Sequence, residues 1–427
     1  MNKTAIDFLS AHGMDTDSLD STALISEFCK HMDAGLSGTP LSLQMIPTYV
    51  SVGSAVPQDV PTIVLDAGGT NLRAGISVFH NNQVTISDVT VGPMPGTLVP
   101  LQKQEYLNEM ADLVAPLLAK AARLGFCFSF PAEITPDLDG ISQGFNKEIH
   151  VANDKGMRVC RELCDTLAAR GLTPPPYALI NDTVAALLGG YGSVDTWAYD
   201  GYIGFILGTG VNCCYTEQNE DILKVPGLPA GGNMVINMES ADFAGFPQGD
   251  FDRSFDARSV IPGNHPYEKM VSGAYFGDLA YETVRGACAE GLFSSAFVAA
   301  LPDTFTTKEV GEFLLLPCAK GPISGLCATE EDREVLYTIL ERLTDRAAKL
   351  VAINLTAVLI QGDMGKSPLR PACIVAEGST FHKSAVYQQK IIHYMDLYAV
   401  LEHGRHYRFI TVDQANMQGA AVAALLK

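Results

Sequence analysis

Between residues 17 and 35 the apolar positions Leu19, Ala23, Leu24, Phe28 and Met32 fall on one helical face, and the pattern stops at Gly35, which predicts a leading helix. From 36 to 61 the prolines Pro40, Pro47, Pro57 and Pro61 impose an extended connection. Residues 63–66 then read as a short strand, Gly68 and Gly69 turn the chain, and 72–79 and 84–91 alternate as further strands of an antiparallel sheet. Downstream, the spacing predicts a helix over 104–123 with a kink at Pro116, a strand over 126–130 and a helix over 153–169. A strand over 177–180, a helix over 184–188 and a strand over 202–207 follow. Helices are expected over 266–288, over 330–359 with a break inside, over 386–401 and over 417–426, with one more strand over 372–376. A strand running into a small-residue turn that carries a threonine occurs twice, at 66–70 and at 207–210, which predicts two lobes of related construction. The expected boundaries are 1–59 for a helix and connection packed on the larger lobe, 60–180 for the smaller lobe and 181–427 for the larger one, with the last helix free to cross back.

Length and composition narrow this picture. A chain of 427 residues, 47% apolar and 18% charged, can bury a large core and is too apolar for disorder. Its net charge of −19 repels nucleic acid and anionic membrane, so neither is an expected partner. The same field repels a nucleotide, so any phosphate site must draw on backbone N–H groups, a few basic side chains and a cation. Ten cysteines without a C-x-x-C pair, two of them adjacent at Cys213 and Cys214, suit reduced core thiols better than a disulfide lattice or a zinc cage. Acidic residues crowd the start, at Asp7, Asp15, Asp17 and Asp20, where a signal peptide would be basic and then apolar, and the apolar run 350–360 is too short for a bilayer. A cytoplasmic location is expected.

The candidate chemistry begins at Asp66-Ala67-Gly68-Gly69-Thr70-Asn71-Leu72-Arg73. Gly68 and Gly69 lack the Cβ that would hold a phosphate away from backbone N–H groups, and the Thr70 hydroxyl can donate to an oxygen. Asp66 would repel phosphate directly, but makes sense with magnesium between them through water, and Arg73 adds a donor fork. A bare Gly-Gly turn is more often only a tight hairpin; the longer string is sharper, and is neither a dinucleotide fingerprint nor a Walker loop.

In Phe128-Ser129-Phe130-Pro131 and Phe145-Asn146-Lys147, Ser129 and Asn146 can bond to a sugar's hydroxyls and Lys147 can donate to its oxygens or to phosphate; a turn serine and a solvated lysine are the plain alternatives. Asn181 and Asp182 stand between an apolar strand end and an apolar helix. Asp182 or Thr183 can serve as an ordinary N-cap, or Asp182 can orient and deprotonate an attacking hydroxyl. Glu239 and Glu268, in apolar or glycine-rich company, can each accept from adjacent hydroxyls, and the nine histidines do not fall at ligand spacing beside them.

Taken in this order, these strings resemble the hexokinase family in its short single-unit form, from about residue 60 onward. The matching segments are 65–73, 128–131, 145–147, 180–184 and 208–212 with Tyr215, followed by Asp252-Arg253, Asp256, Ser259, Pro262-Gly263, Glu268-Lys269-Met270 and Ser272-Gly273. The resemblance implies an α/β fold, the two-lobe actin-like ATPase (ribonuclease H-like) fold with mixed sheets, and ATP-dependent phosphorylation of a hexose at its 6-hydroxyl, with glucose first and mannose and fructose beside it. It implies ATP and Mg2+ as cofactors, and Asp182, Arg73 and Lys147 as the catalytic set. Ser129, Asn146, Lys147, Asn181, Asp182, Asn212, Glu239 and Glu268 would surround the hexose. Asp66 would meet magnesium through water; Gly68, Gly69, Thr70, Asn71, Arg73, Gly208, Thr209, Gly210, Gly378 and Ser379 would hold the nucleotide. The sequence departs from the family's pattern at Asn146, at Glu377, at His382, after Glu239 and at Asn416-Met417-Gln418-Gly419. A non-catalytic sugar-sensing protein built on the same cleft is the alternative, and a monomer and a homodimer are both open.

Overall fold

Ile63, Val64 and Leu65 are fully enclosed, so the strand Thr62–Ala67 is covered on both faces in the computed structural model, which describes residues 2–69, 71–81, 83–145 and 149–427. It is the middle of a five-stranded sheet ordered Tyr177–Ile180, Leu124–Phe128, Thr62–Ala67, Asn71–His80, Gln83–Pro93, parallel across the first three and antiparallel across the rest. A six-stranded sheet repeats that order with Tyr407–Ile410, Ala372–Glu377, Gly201–Leu207, Val211–Gln218 and Asn233–Asn237, and adds Ile46–Pro47 at its edge. The twofold use of a strand, a glycine turn and a returning strand is thus a repeat of topology. The architecture is mixed α/β in two lobes.

Two helices of small residues lie between the sheets. Asp182–Ser193 and Ala415–Leu426 share one core cluster with Val64, Cys127 and Ile180 of the first sheet and Val235, Cys373 and Val375 of the second. Glycines set the spacing. A Cβ on Gly419 would overlap the Ala185 carbonyl, one on Gly125 the Ala420 carbonyl, and one on Gly204 the Thr183 carbonyl. Outside this centre, Lys3–Ala11 and Ser21–Leu36 pack on the long helix Glu330–Gln361, where buried Lys349 donates to the carbonyls of Thr16 (3.2 Å) and Leu19 (2.7 Å). All ten cysteines are free thiols. Among the described residues no helix is long and apolar enough to cross a membrane.

Several expected elements shift for physical reasons. The helix expected from residue 17 starts at Ser21, because Asp20 accepts from Ala23 N (3.0 Å) and caps it. Pro116 ends its helix instead of kinking it: Lys103–Val114 gives way to the 3-10 turn Ala115–Leu117. The helix expected from 153 starts at Val159, where the buried carboxylate of Asp139 accepts from Cys160 N (2.8 Å) and Arg161 N (3.2 Å). The stretch 266–288 splits into Pro266–Val271 and Phe276–Ala289, since Gly273 N and Ala274 N are drawn to the carbonyls of Gly208 (2.7 Å) and Thr209 (3.1 Å). No break interrupts Glu330–Gln361; Asn354 inside it is fully buried and faces Tyr267 Oη at 3.4 Å. Ala385–Met395 continues as the π-helical turn Asp396–Glu402. Strand pairing at Ile46–Pro47 interrupts the extended connection, with the proline tolerated on a sheet edge.

Gly419→Ala tests the central packing. Helix propensity alone favours alanine by about 1 kcal/mol, whereas overpacking costs about 1–3 kcal/mol, so the thermal unfolding midpoint should fall. Gly325→Ala, whose Cβ would meet nothing within 4 Å, should leave it in place. An unchanged midpoint for Gly419→Ala would remove this contact from the supports of the fold.

Candidate functional site

Parallel strands present their carboxyl ends on one side, which is where ligands bind in open α/β sheets. In the first sheet that edge carries Asp66 and Gly68 after one strand, Ser129 after its neighbour and Asn181-Asp182 after the third. In the second it carries Gly208 to Gly210, Gly378-Ser379 on the adjacent strand, and Glu239 just beyond Asn237. Of the expected set, Thr70, Asn146 and Lys147 lie outside the described residues.

Asp66 is 5% exposed. It sits opposite Arg73 in the antiparallel register, with Arg73 Nη1 3.6 Å from Asp66 Oδ2. Asn416 Nδ2 donates to Asp66 Oδ1 at 3.2 Å, and the Cys127 thiol on the adjacent strand lies beside the same carboxylate. Burial holds the Asp66 carboxyl above its ordinary range and the Asp182 charge adds to this, while Asn416, Arg73 and Cys127 oppose it. Gly68 N donates to the Asn71 carbonyl (3.0 Å), closing the first turn with the Asn71 side chain outward. Ser129 N donates to the Ala67 carbonyl (3.1 Å), which ties the end of its strand to that turn.

The N-cap expected of Asp182 or Thr183 belongs to Asn181, whose side chain accepts from Thr183 N at 2.9 Å. Asp182 is the first helical residue; its Oδ1 also accepts from Thr183 N, at 2.8 Å, which fixes the carboxylate at the positive end of the helix. The charge of Asp182 acts on both Asp66 and Glu239, so it lies within electrostatic reach of each.

Glu239 takes a left-handed backbone (φ 54°) at the end of its strand. A chain of amides holds it: Asn212 Nδ2 donates to Asn237 Oδ1 (2.9 Å), and Asn237 Nδ2 donates to Glu239 Oε1 (2.6 Å). Asn212 also accepts from Cys213 N (2.8 Å) and Ser240 N (3.1 Å), so much of its side chain is committed within the protein. Burial first, then the charges of Asp182 and Asp242, push the Glu239 carboxyl up to about 7 against the pull of Asn237 and His265. His265, paired with Asp242 at 2.6 Å, is raised by that bond. Glu268 Oε2 accepts from Val211 N (3.0 Å), and a Cβ on Gly210 would overlap that same oxygen. Gly210 thus leaves the space that the Glu268 carboxylate occupies.

The second turn is clamped from two directions. The Gly208 carbonyl accepts from Gly273 N (2.7 Å) and Thr380 Oγ1 (2.9 Å), and Gly208 N donates to the Gly210 carbonyl (2.9 Å). Gly378 takes φ 106°, and a Cβ there would overlap the Leu207 carbonyl. Thr209 and Ser379 stay exposed beside these fixed groups. At the same edge Glu377 Oε1 is buried with no partner among the described residues, an acceptor open to a hydroxyl donor.

Part of the long signature fastens the scaffold beneath the cleft. Buried Asp252 receives both arms of Arg346 (3.1 and 2.6 Å), and Asp256 holds Lys269, the neighbour of Glu268, together with Gly263 N (2.9 Å). Three residues that meet the site were not singled out for it in the sequence. Asn237 carries a signal, a polar side chain closing an apolar strand; Cys127 carries none, since it reads as core, and Asn416 stands out only as a departure from the family's pattern, joining Asp66 across 350 residues of chain.

Glu239 generates a test independent of any ligand. Its carboxyl is held above the value of an unfolded chain, so its stabilising share is fully present at low pH and is lost as pH rises through about 7. Glu239→Gln lacks that loss: its unfolding midpoint, compared with the parent's, should rise from pH 5 and level off above about 7. A pH-independent difference would show that Glu239 is not perturbed.

Two family models described as hexokinase match the chain, over residues 202–426 and 7–191, the first alone covering more than half of it. The chain is 29% identical over 367 residues to Hexokinase-3 of Rattus norvegicus, across 79% of this chain and 38% of that protein. It is 32% identical over 269 residues to the Hexokinase-like 1 protein of Arabidopsis thaliana, across 58% of this chain and 52% of that one. The chain thus spans about half or less of the length of these two relatives. Its fold superposes on the hexokinase from Schistosoma mansoni complexed with glucose with a TM-score of 0.76 at 20% identity, covering 99% of this chain and 98% of the other. From these family matches it follows that the chain belongs to the hexokinase family.

Proposed function

We propose that the chain transfers the terminal phosphoryl group of ATP to the 6-hydroxyl of a hexose, glucose first and mannose or fructose beside it, with Asp182 as the general base. The observation that carries this reading is the position of Asp182 at a strand end and helix start, within electrostatic reach of Asp66 on one side and Glu239 on the other. A carboxylate so held suits taking the proton of a hydroxyl bound among Glu239, Glu268, Ser129 and Asn181. Thr183 N–H keeps it in one orientation while the proton is taken.

The nucleotide end rests on the two glycine turns, with Gly68, Gly69 and Asn71 on one and Gly208, Thr209 and Gly210 on the other. Gly378, Ser379 and the open acceptor of Glu377 suit the nucleoside. Arg73, about half exposed, extends a donor fork toward the transferring group. Among the described residues no three His, Cys, Asp or Glu side chains form a metal cage; the single carboxylate of Asp66 fits a magnesium ion held mainly by phosphate oxygens and water. That ion would supply positive charge where the phosphoryl oxygens gain negative charge. Thr70, Asn146 and Lys147 join the set as expected from the sequence. Closure of lobes near 60–180 and 181–427 over the sugar would exclude water from the transfer. With a net charge of −19 the partners are small molecules, and the cytoplasm is the proposed location.

Asp182→Asn keeps the shape and removes the base. Glucose-dependent ADP release should fall by about 10²–10⁴-fold, the usual share of general-base catalysis, while glucose affinity stays within a few-fold by calorimetry. Turnover near the parent's would remove Asp182 from the role. A parent that binds glucose but releases no ADP would turn the reading to a sugar sensor.

A further inference from the structure

Asn416 joins the nucleotide end of the cleft to the helix pair at the centre of the fold. Its Nδ2 donates to Oδ1 of Asp66 at 3.2 Å, while Arg73 stands 3.6 Å from the other oxygen. An amide fixes the rotation of a carboxylate without cancelling its charge, which a lysine or arginine at hydrogen-bond distance would do. The amide's own position is set by packing. Asn416 lies in the first turn of Ala415–Leu426, the helix whose Gly419 is seated on the Ala185 carbonyl of the helix that begins with Asp182. Two residues on from Asn416, the Gln418 side chain accepts from Ser193 Oγ (2.6 Å) and donates to the Asp413 carbonyl (2.7 Å), pinning the same turn to the far end of that partner helix.

We infer that Asn416 is a positioning residue: it sets the orientation of Asp66 for a magnesium-bound nucleotide, and carries the seating of the two central helices to that end of the cleft. The inference rests on the proposed reading of Asp66 as the carboxylate that meets magnesium through water. Asn416 touches neither sugar nor phosphate in this role. Its removal should therefore be felt through the metal alone, whereas an amide that merely fills space would, on removal, weaken all ligands together or none.

The experiment uses the full chain with Asn416→Ala, and with Asn416→Ser as a milder variant that retains a short donor. Calorimetric titrations with MgADP, with ADP in EDTA and with glucose are compared with the parent, alongside glucose-dependent ADP release. Asn416→Ala should weaken MgADP binding about tenfold, the lower end of what losing a group that orients a metal ligand costs, and leave metal-free ADP and glucose within twofold. Asn416→Ser should fall between parent and Asn416→Ala, and alone serves for the comparison should the alanine variant not fold. Equal losses for all three ligands, or no loss for any, would overturn the positioning role. A parent that turns over no hexose yet loses magnesium-dependent ADP binding on Asn416→Ala would sink the kinase reading and leave this one standing. A parent whose ADP binding ignores magnesium would overturn the positioning role, and glucose-dependent ADP release would then decide the kinase reading by itself.

Discussion

Backbone contact between two helices of small residues is the constraint on which the rest of the structure depends. Gly419 and Gly125 admit carbonyls at distances that no Cβ allows, so Asp182–Ser193 and Ala415–Leu426 lie against each other and against both sheets in one shared core. Each helix begins at the candidate site: one opens with Asp182, the other carries Asn416 in its first turn. Placement of these groups is therefore a property of the packed centre and not of any surface loop.

Charge at the site follows a consistent pattern. The charge of Asp182 raises both Asp66 and Glu239, in a chain whose net charge is already −19. What holds them is mostly neutral: Asn416 on Asp66, Asn237 on Glu239, Asn212 on Asn237, and a helix N-terminus on Asp182. Amides and backbone N–H groups satisfy carboxylate oxygens while leaving negative charge in place. Such a site favours a cation and hydroxyl donors, the chemistry that the proposed magnesium, nucleotide and hexose would bring.

Much of this was legible before any coordinates. The strands that lead to Asp66, Ser129, Asn181 and Gly208 are short apolar runs stopped by polar or small residues, and that contrast is local. Helix ends were less legible because distant groups supply the caps: Asp139 starts the helix at Val159, and the turn at Gly208 and Thr209 breaks the stretch after Val271. The family resemblance implies that Asn212 is a ligand residue, and the structure commits much of its side chain to Asn237 and its neighbours. Asn416 reads only as a departure from the family's pattern.

By itself the sequence determined the strand–glycine-turn units, their repetition and the strings that carry the family resemblance, because each depends on residues near one another along the chain. Tertiary structure alone decided which neutral groups hold the carboxylates and how closely the central helices approach. Those contacts join residues as far apart as Asp66 and Asn416, and depend on volumes and carbonyl directions that appear only once the chain is packed.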